Sequence, residues 1–233
     1  FINGAIEGEI QLDAFSEFFN LSEVESMTGL AEVALNYKGN FGKSWKPSAV
    51  SINKADVSGV CQISQASLKL RRNPHVITEI NGKLDLVNGN ASVPAFTAKI
   101  DQSDFKFAGD FNNLVSYLLI KEQKLIVNSD LTCTYLDLNS LLSDNSESEE
   151  GYNFNLPSGV LFSLNTSINS LVFRDFIASE ILAEINLNNK TLKIAPLEMK
   201  TSEGYFNTSL NFFQKKKGDF LVDSKGNFSD INI

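Results

Sequence analysis

From Gly82 to Phe111 the apolar side chains fall at every second position: Leu84 and Leu86, then Ala91 and Val93, then Phe105, Phe107 and Phe111, with Lys, Asp, Asn and Ser between them. A period of two belongs to a β-strand with one apolar and one wet face. The breaks are spelled Asn88-Gly89-Asn90 and Asp101-Gln102-Ser103-Asp104, residue types that tolerate positive φ or close Asx turns. The stretch therefore predicts three short antiparallel strands, each returning beside the one before.

A similar pattern returns from Ile181 onward. There Ile185 and Leu187 correspond to Leu84 and Leu86, Leu192 and Ile194 to Ala91 and Val93, and Phe206 and Phe212 to Phe105 and Phe111, while Pro196 lies near the place of Pro94. Repeated meander units of this kind stack edge to edge and share one long sheet.

The rest of the chain follows the same alternation. Phe1 to Leu12 reads as a strand, Asp13 as a helix N-cap, and Ala14 to Phe19 as about two helical turns with Glu17 near the capping-box position. Val33, Leu35 and Tyr37 share one strand face, Asn36 to Pro47, with Gly39, Gly42 and Pro47, reads as a loop, and strands are expected near 49–53, from Val57 to Leu70, and from Val76 into Gly82. Asn113 to Leu119 predicts a short amphipathic helix, Leu125 to Tyr135 a strand and Leu136 to Leu142 another helical turn. Val160, Phe162, Leu164, Ile168 and Val172 alternate along a long strand, and a last hairpin runs from Asn207 to Phe228. The organisation read this way is a first meander segment over 1–143 with short helices, an acidic linker at 144–151, and a second segment over 152–233 continuing the same sheet. The fold class is mainly β: a long curved antiparallel sheet of meander repeats, a trough of about a dozen strands with a few short helices.

Composition narrows the chemistry. A set of 18 Phe against 1 Trp and 5 Tyr favours aromatic rings with no polar handle, which suit a dry surface. A net charge of -8 opposes nucleic-acid binding, and the basic runs Lys69 to Arg72 and Lys215 to Lys217 sit at strand ends, as solvated or edge-protecting charges do. No window of about 18 consecutive apolar residues is present. The start at Phe1 and the stop in mid-pattern at Ile233 suggest a piece of a longer protein. A single histidine, His75, offers no triad or multi-histidine metal site and reads as a surface or hydrogen-bonding residue. Cys61 and Cys133 read as buried free thiols, with a disulfide permitted in an oxidising compartment. Glu147, Glu149 and Glu150 lack the Gly and alternating ligands of a Ca²⁺ loop. No phosphate-binding, zinc-protease or serine-hydrolase motif occurs, so no enzyme and no cofactor is expected. Asn-X-Ser/Thr sequons stand at Asn90, Asn165, Asn189, Asn207 and Asn227 and would matter in a eukaryotic secreted protein.

The phrases Ser103-Asp104-Phe105 leading to Gly109, Asn113 to Leu119, and Tyr135-Leu136-Asp137-Leu138 with Leu141-Leu142, in this order, resemble the C-terminal region of AsmA-family proteins, particularly the long versions of Bacteroidota. The similarity runs from about Gly29 to Ile233. It implies a periplasmic body of repeating β-groove units, held to the inner membrane by a segment outside this stretch, in the class of bridge-like lipid-transfer proteins that includes TamB. The implied partners are phospholipid or another acyl lipid and envelope proteins, and the implied role is lipid transport in outer-membrane biogenesis.

A sheet with one apolar face and no layer over it presents a trough. Exposing about 14 methylenes of an acyl chain to water costs about 11 kcal/mol at roughly 0.8 kcal/mol each, and such a trough removes much of that cost. The candidate lining is Val33, Leu35, Leu84, Leu86, Phe105, Phe107, Phe111, Val160, Phe162, Leu164, Ile185, Leu187, Phe206, Leu210 and Phe212. Alternation alone fits two alternatives: an open trough, or the closed core of a sandwich or barrel in a structural or protein-interaction module.

Overall fold

Period-two alternation becomes twelve strands that lie in the sheet in the order in which they leave the chain. The computed structural model describes residues 1–19, 24–40, 54–71, 74–120, 122–142, 156–201, 204–216 and 218–229. The expected strand near 49–53 and the acidic linker at 144–151 lie outside them. The strands are β1 (Ile2–Gln11), β2 (Val24–Gly39), β3 (Asp56–Leu70), β4 (Val76–Val87), β5 (Asn90–Ile100), β6 (Ser103–Asn112), β7 (Leu125–Asp137), β8 (Val160–Phe173), β9 (Phe176–Asn188), β10 (Thr191–Thr201), β11 (Gly204–Lys216) and β12 (Asp219–Ser229). Among the described residues three short helices join them: α1 (Leu12–Phe19), α2 (Leu114–Leu119) and α3 (Leu138–Leu142). The sheet is mostly antiparallel and does not close into a barrel. The chain divides into two compact units, 1–98 with 107–127, and 99–106 with 128–233.

One junction departs from the expected meander. Asn165 Nδ2 donates to Asp130 Oδ1 at 3.0 Å and the Arg174 N–H donates to Asn139 Oδ1 at 2.6 Å, and both pairs are 35 residues apart. A constant separation means that β7 and β8 run parallel. Parallel neighbours need a crossover, and α3 is its first element, with Leu138 and Leu141 packed on the sheet against buried Cys133, Leu136, Ile168 and Ala178. Leu171 packs there too, whereas Val172, expected on the apolar face, pairs with exposed Ile177 on the other side.

The internal repeat is carried into backbone detail. Glu79 in β4 and Glu180 in β9 both have positive φ, 49° and 50°, and so do the turn residues Asn88 and Asn189, at 52° and 54°. Each pair has the 101-residue separation of Leu84 and Ile185. The ladders shift register at both glutamates, so each adds one residue to its strand and moves the inward set by one position. This is why Ile77 and Ile80, and likewise Ala178 and Ile181, lie on one face although each pair is three apart. Side chains also trade volume between the repeats. A Cβ at Gly82 would stand 2.5 Å from the ring of Phe96, whereas the equivalent facing pair is Ala183 and Leu197.

Helix α1 begins two residues earlier than the cap signature suggests, at Leu12 and not Ala14. Leu12 is already helical and buried with Ala31, Val33, Ala66, Ile80 and Ala98, while the Asp13 carboxylate accepts the Ala14 N–H at 2.8 Å. Burial of Leu12 decides the boundary.

Gly59, in the middle of the β2–β3 ladder opposite Leu35, has φ +139°, and a Cβ there would stand 2.0 Å from the Ala34 carbonyl oxygen. Gly59→Ala is expected to destabilise the fold by more than the 1–3 kcal/mol typical of backbone strain alone. A urea melt with an unchanged slope and a lower midpoint is the expected readout.

Candidate functional site: the apolar face of the sheet

Ladder register turns the alternating residues of the second unit into rows that cross five strands. Phe162 lies opposite Leu187, Leu187 opposite Leu192, Leu192 opposite Phe212, and Phe212 opposite Val222. The next row is Leu164, Ile185, Ile194, Leu210 and Ser224, and the one after it Thr166, Ala183, Leu197, Thr208 and Gly226. Directly opposed side chains share a face, so these rows form one apolar surface. From the third row onward the surface closes: Ala183 and Leu197 are buried together with Ile168, Ala178, Ile181 and Met199, and Phe105 and Phe206 pack against them.

The first unit repeats the scheme. Ile6, Leu35, Gly59 and Leu86 form one row, and Gly8, Val33, Cys61 and Leu84 the next. Two buried clusters interrupt this face. One gathers Leu12 of α1 with Ala31, Val33, Ala66, Ile80 and Ala98; the other sets Leu114 and Val115 of α2 on Leu86, Ala91 and Val93, with Phe111 alongside.

The expected lining residues fall into two groups. Val33, Leu86 and Leu187 are buried, the first two under helix-covered clusters and the third between Phe162 and Leu192. Leu35, Leu84, Phe105, Phe107, Phe111, Val160, Phe162, Leu164, Ile185, Phe206, Leu210 and Phe212 are half-buried. Leu192 and Ile194 belong to the same open rows but were not among the expected lining. Their equivalence to Ala91 and Val93 in the repeat was the signal that pointed to them.

Polar side chains on or beside this face serve the ladder. Ser103, fully buried, accepts the Asp137 N–H at 3.0 Å, and the Asp104 carboxylate accepts the Thr134 N–H at 3.0 Å and the Tyr135 N–H at 2.9 Å. The Ser-Asp-Phe phrase is thus a clamp between β6 and β7 in which side chains take the place of ladder carbonyls. Burial pushes the Asp104 carboxyl up, but the hydrogen bonds from Tyr135 and Thr134 outweigh it and hold the group below its ordinary 3.8. Burial, then the charge of Asp104, pushes the Cys133 thiol up to about 11, and burial also raises Cys61, so both free thiols are weak nucleophiles at neutral pH. His75, expected at the surface or hydrogen-bonded, is 9% exposed beside Pro74, whose carbonyl accepts from Lys69 Nζ. Among the described residues no group of three or more His, Cys, Asp or Glu is placed to hold a metal ion, and no helix is long and apolar enough to cross a membrane.

The opposite face is mixed. Phe213 is 45% exposed there, opposite Thr191 and Leu221, beside a shallow depression lined by Asn186, Asn188 and Lys193. Lys200 pairs with Glu180 at 2.6 Å and lies over the Tyr205 ring. Comparison of the chain with protein-family models, with curated proteins and with solved structures finds no match.

Asp104→Ala strands two backbone donors and is expected to cost about 1–3 kcal/mol at neutral pH. Because the folded-state pKa lies below the unfolded one, the carboxylate's contribution is present above about pH 4 and is lost as pH falls through the folded value. The difference between parent and variant in urea unfolding should therefore narrow at pH 3. Thr166 is 5% exposed, and its hydroxyl finds no hydrogen-bond partner among the described residues. Thr166→Val should accordingly raise stability by about 1 kcal/mol in the same assay.

Proposed function

We propose that this chain binds acyl lipid on the apolar face of its sheet, as a periplasmic part of an AsmA-like envelope protein that supports phospholipid transport between membranes. The observation that carries the reading is the register of the second unit: two mainly apolar rows cross β8 to β12, with Phe162, Leu164, Ile185, Leu192, Ile194, Leu210 and Phe212 half-buried around buried Leu187, on a sheet that does not close on itself. A globular core of these residues would be dry, and a purely structural sheet would not need Phe162, Leu192 and Phe212 in register on a partly open surface. The Phe-rich, Trp-poor composition and the duplicated strand set support the same reading.

Binding on an open face is of moderate strength. A chain of about 14 methylenes lying on one face loses about half its water contact, which is worth roughly 5–6 kcal/mol at about 0.8 kcal/mol per methylene. That corresponds to dissociation constants on the order of 100 µM, which suits cargo that must move on. No reacting group is required, because successive positions along the rows offer similar contacts.

Adjacent residues on opposite faces supply the test. Phe212 lies in the apolar row, and Phe213 points to the other side. Delipidated protein titrated with a fluorescent long-chain fatty acid should bind saturably. Phe212→Asp should weaken binding by about tenfold or more, while Phe213→Asp, checked for an unchanged circular dichroism spectrum, should bind as the parent does. Equal loss in both folded variants, or no saturable binding by the parent, would falsify the proposal.

A further inference from the structure

The shallow depression beside Phe213 lies on the face opposite the apolar rows. Asn186, Asn188, Thr191, Lys193 and Phe213 line a space of about 670 Å³ there, within the roughly 300–1,000 Å³ of small-molecule sites. Ladder register places them. Asn188, Thr191, Phe213 and Leu221 form one row across β9 to β12, and Ser163, Asn186, Lys193, Asn211 and Asp223 form the next. Phe213 keeps 45% of its surface exposed, and Asn188 and Lys193 are exposed beside it. Other asparagines of this face are tied: Asn165 Nδ2 donates to Asp130 at 3.0 Å and Asn207 Nδ2 to Glu198 Oε1 at 3.1 Å. Among the described residues the side chains of Asn186, Asn188, Asn211 and Lys193 make no hydrogen bond or ion pair. The duplicated unit shows what the strands themselves require. At the equivalent positions the first repeat has Asp85, Val87, Asn90, Ser92 and Asn112. There Asp85 pairs with Lys83 at 2.8 Å, and Asn90 Oδ1 accepts the Asn113 N–H at 2.7 Å. The same strand set thus forms without a ring, a lysine or unengaged amides at these places, so folding does not account for them.

We propose that this depression is a carbohydrate site and that its ligand is an oligosaccharide bearing carboxylates. The strands β9, β10 and β11 are interior to the sheet and ladder-bonded on both sides, so their backbone has no groups left to pair with a peptide strand. What the face offers is a grid of amide, hydroxyl and ammonium groups at a strand spacing of about 4.8 Å, beside one exposed ring. A side-chain amide both donates and accepts, and so answers the neighbouring hydroxyls of a sugar. The C–H face of a pyranose suits an aromatic ring that carries no polar handle. Phe213 is the diagonal neighbour of Lys193 across the β10–β11 ladder, roughly 7–8 Å away, so one sugar can stack on the ring while its carboxylate meets the ammonium. The lining contains Lys190 and Lys193 and no acidic side chain, in a chain whose net charge is -8. That local excess of positive charge selects an acidic sugar over a neutral one. Asp223, two strands from Lys193 and opposite Asn211, bounds the positive patch.

The experiment is retention of the whole chain on an array of immobilised tetrasaccharides, with uronate-bearing members beside their carboxyl-reduced counterparts. Uronate-bearing members are expected to retain the protein, and their reduced counterparts to retain several-fold less. Phe213→Ala should cut retention roughly two- to tenfold, and Phe213→Tyr should restore it. Lys193→Gln should abolish the preference for the acid over its reduced counterpart. Asp85→Asn, at the equivalent place in the first repeat, should change nothing. Circular dichroism and urea midpoints separate loss of binding from loss of fold, and because Lys193 is exposed its variant tests the site even where the ring substitution lowers stability. Three results overturn the inference: no uronate-bearing member retains the protein, folded Phe213→Ala and Lys193→Gln bind as the parent does, or sulfated dextran and single-stranded DNA are retained equally well, which reports bare charge. Preference for the neutral members overturns it as well. The lipid reading is tested separately, since fatty-acid binding concerns the other face and is expected to survive Phe213→Ala.

Discussion

A single sheet has two faces, and an apolar one must be kept from water by whatever lies against it. The described residues contain one sheet and three short helices. Helices of five to eight residues cover only a few side chains each. Leu12 on α1, Leu114 and Val115 on α2, and Leu138 and Leu141 on α3 each complete a local cluster of small or branched residues. Between clusters many of the apolar side chains on this face are half-buried, although Leu187 is buried. Partial coverage of one face is the condition from which the stable ends, the open rows and the proposed lipid site all follow.

Duplication explains how the scheme is built and where it varies. Bulges at Glu79 and Glu180, turns at Asn88 and Asn189, and inward sets with the same spacing define one strand unit used twice. The variation lies just after the third strand of the unit. A residue that tolerates a left-handed backbone, Asn113, sends the chain over the face as α2; Gln214 keeps it in the ladder. A local choice of backbone conformation therefore decides whether the chain crosses the face as a helix or stays in the ladder.

Polar groups near this face are used for construction. Ser103 and Asp104 replace ladder acceptors for β7, and the buried thiol of Cys133 packs beside them. Such an arrangement stiffens the strands while leaving little reactive chemistry on the face, in keeping with a surface that holds apolar cargo by contact.

Much of this was legible in the sequence. Alternation in Leu84 to Phe111 and Ile185 to Phe212, the Asn-rich turns, the α2 phrase from Asn113 and the repeat itself depend on neighbours close in the chain, and each appears in the structure. The same holds for the shared face of Phe162, Leu164, Ile185, Leu187, Leu210 and Phe212, because strand parity is a local property. Tertiary structure alone decided the parallel pairing of β7 with β8, since strand direction after a long connection is set by packing of distant segments. It also decided that Val33 and Leu86 are sealed under helices while Leu192 and Ile194 are not. Alternation states which face a side chain takes; only tertiary packing determines whether that side chain meets water.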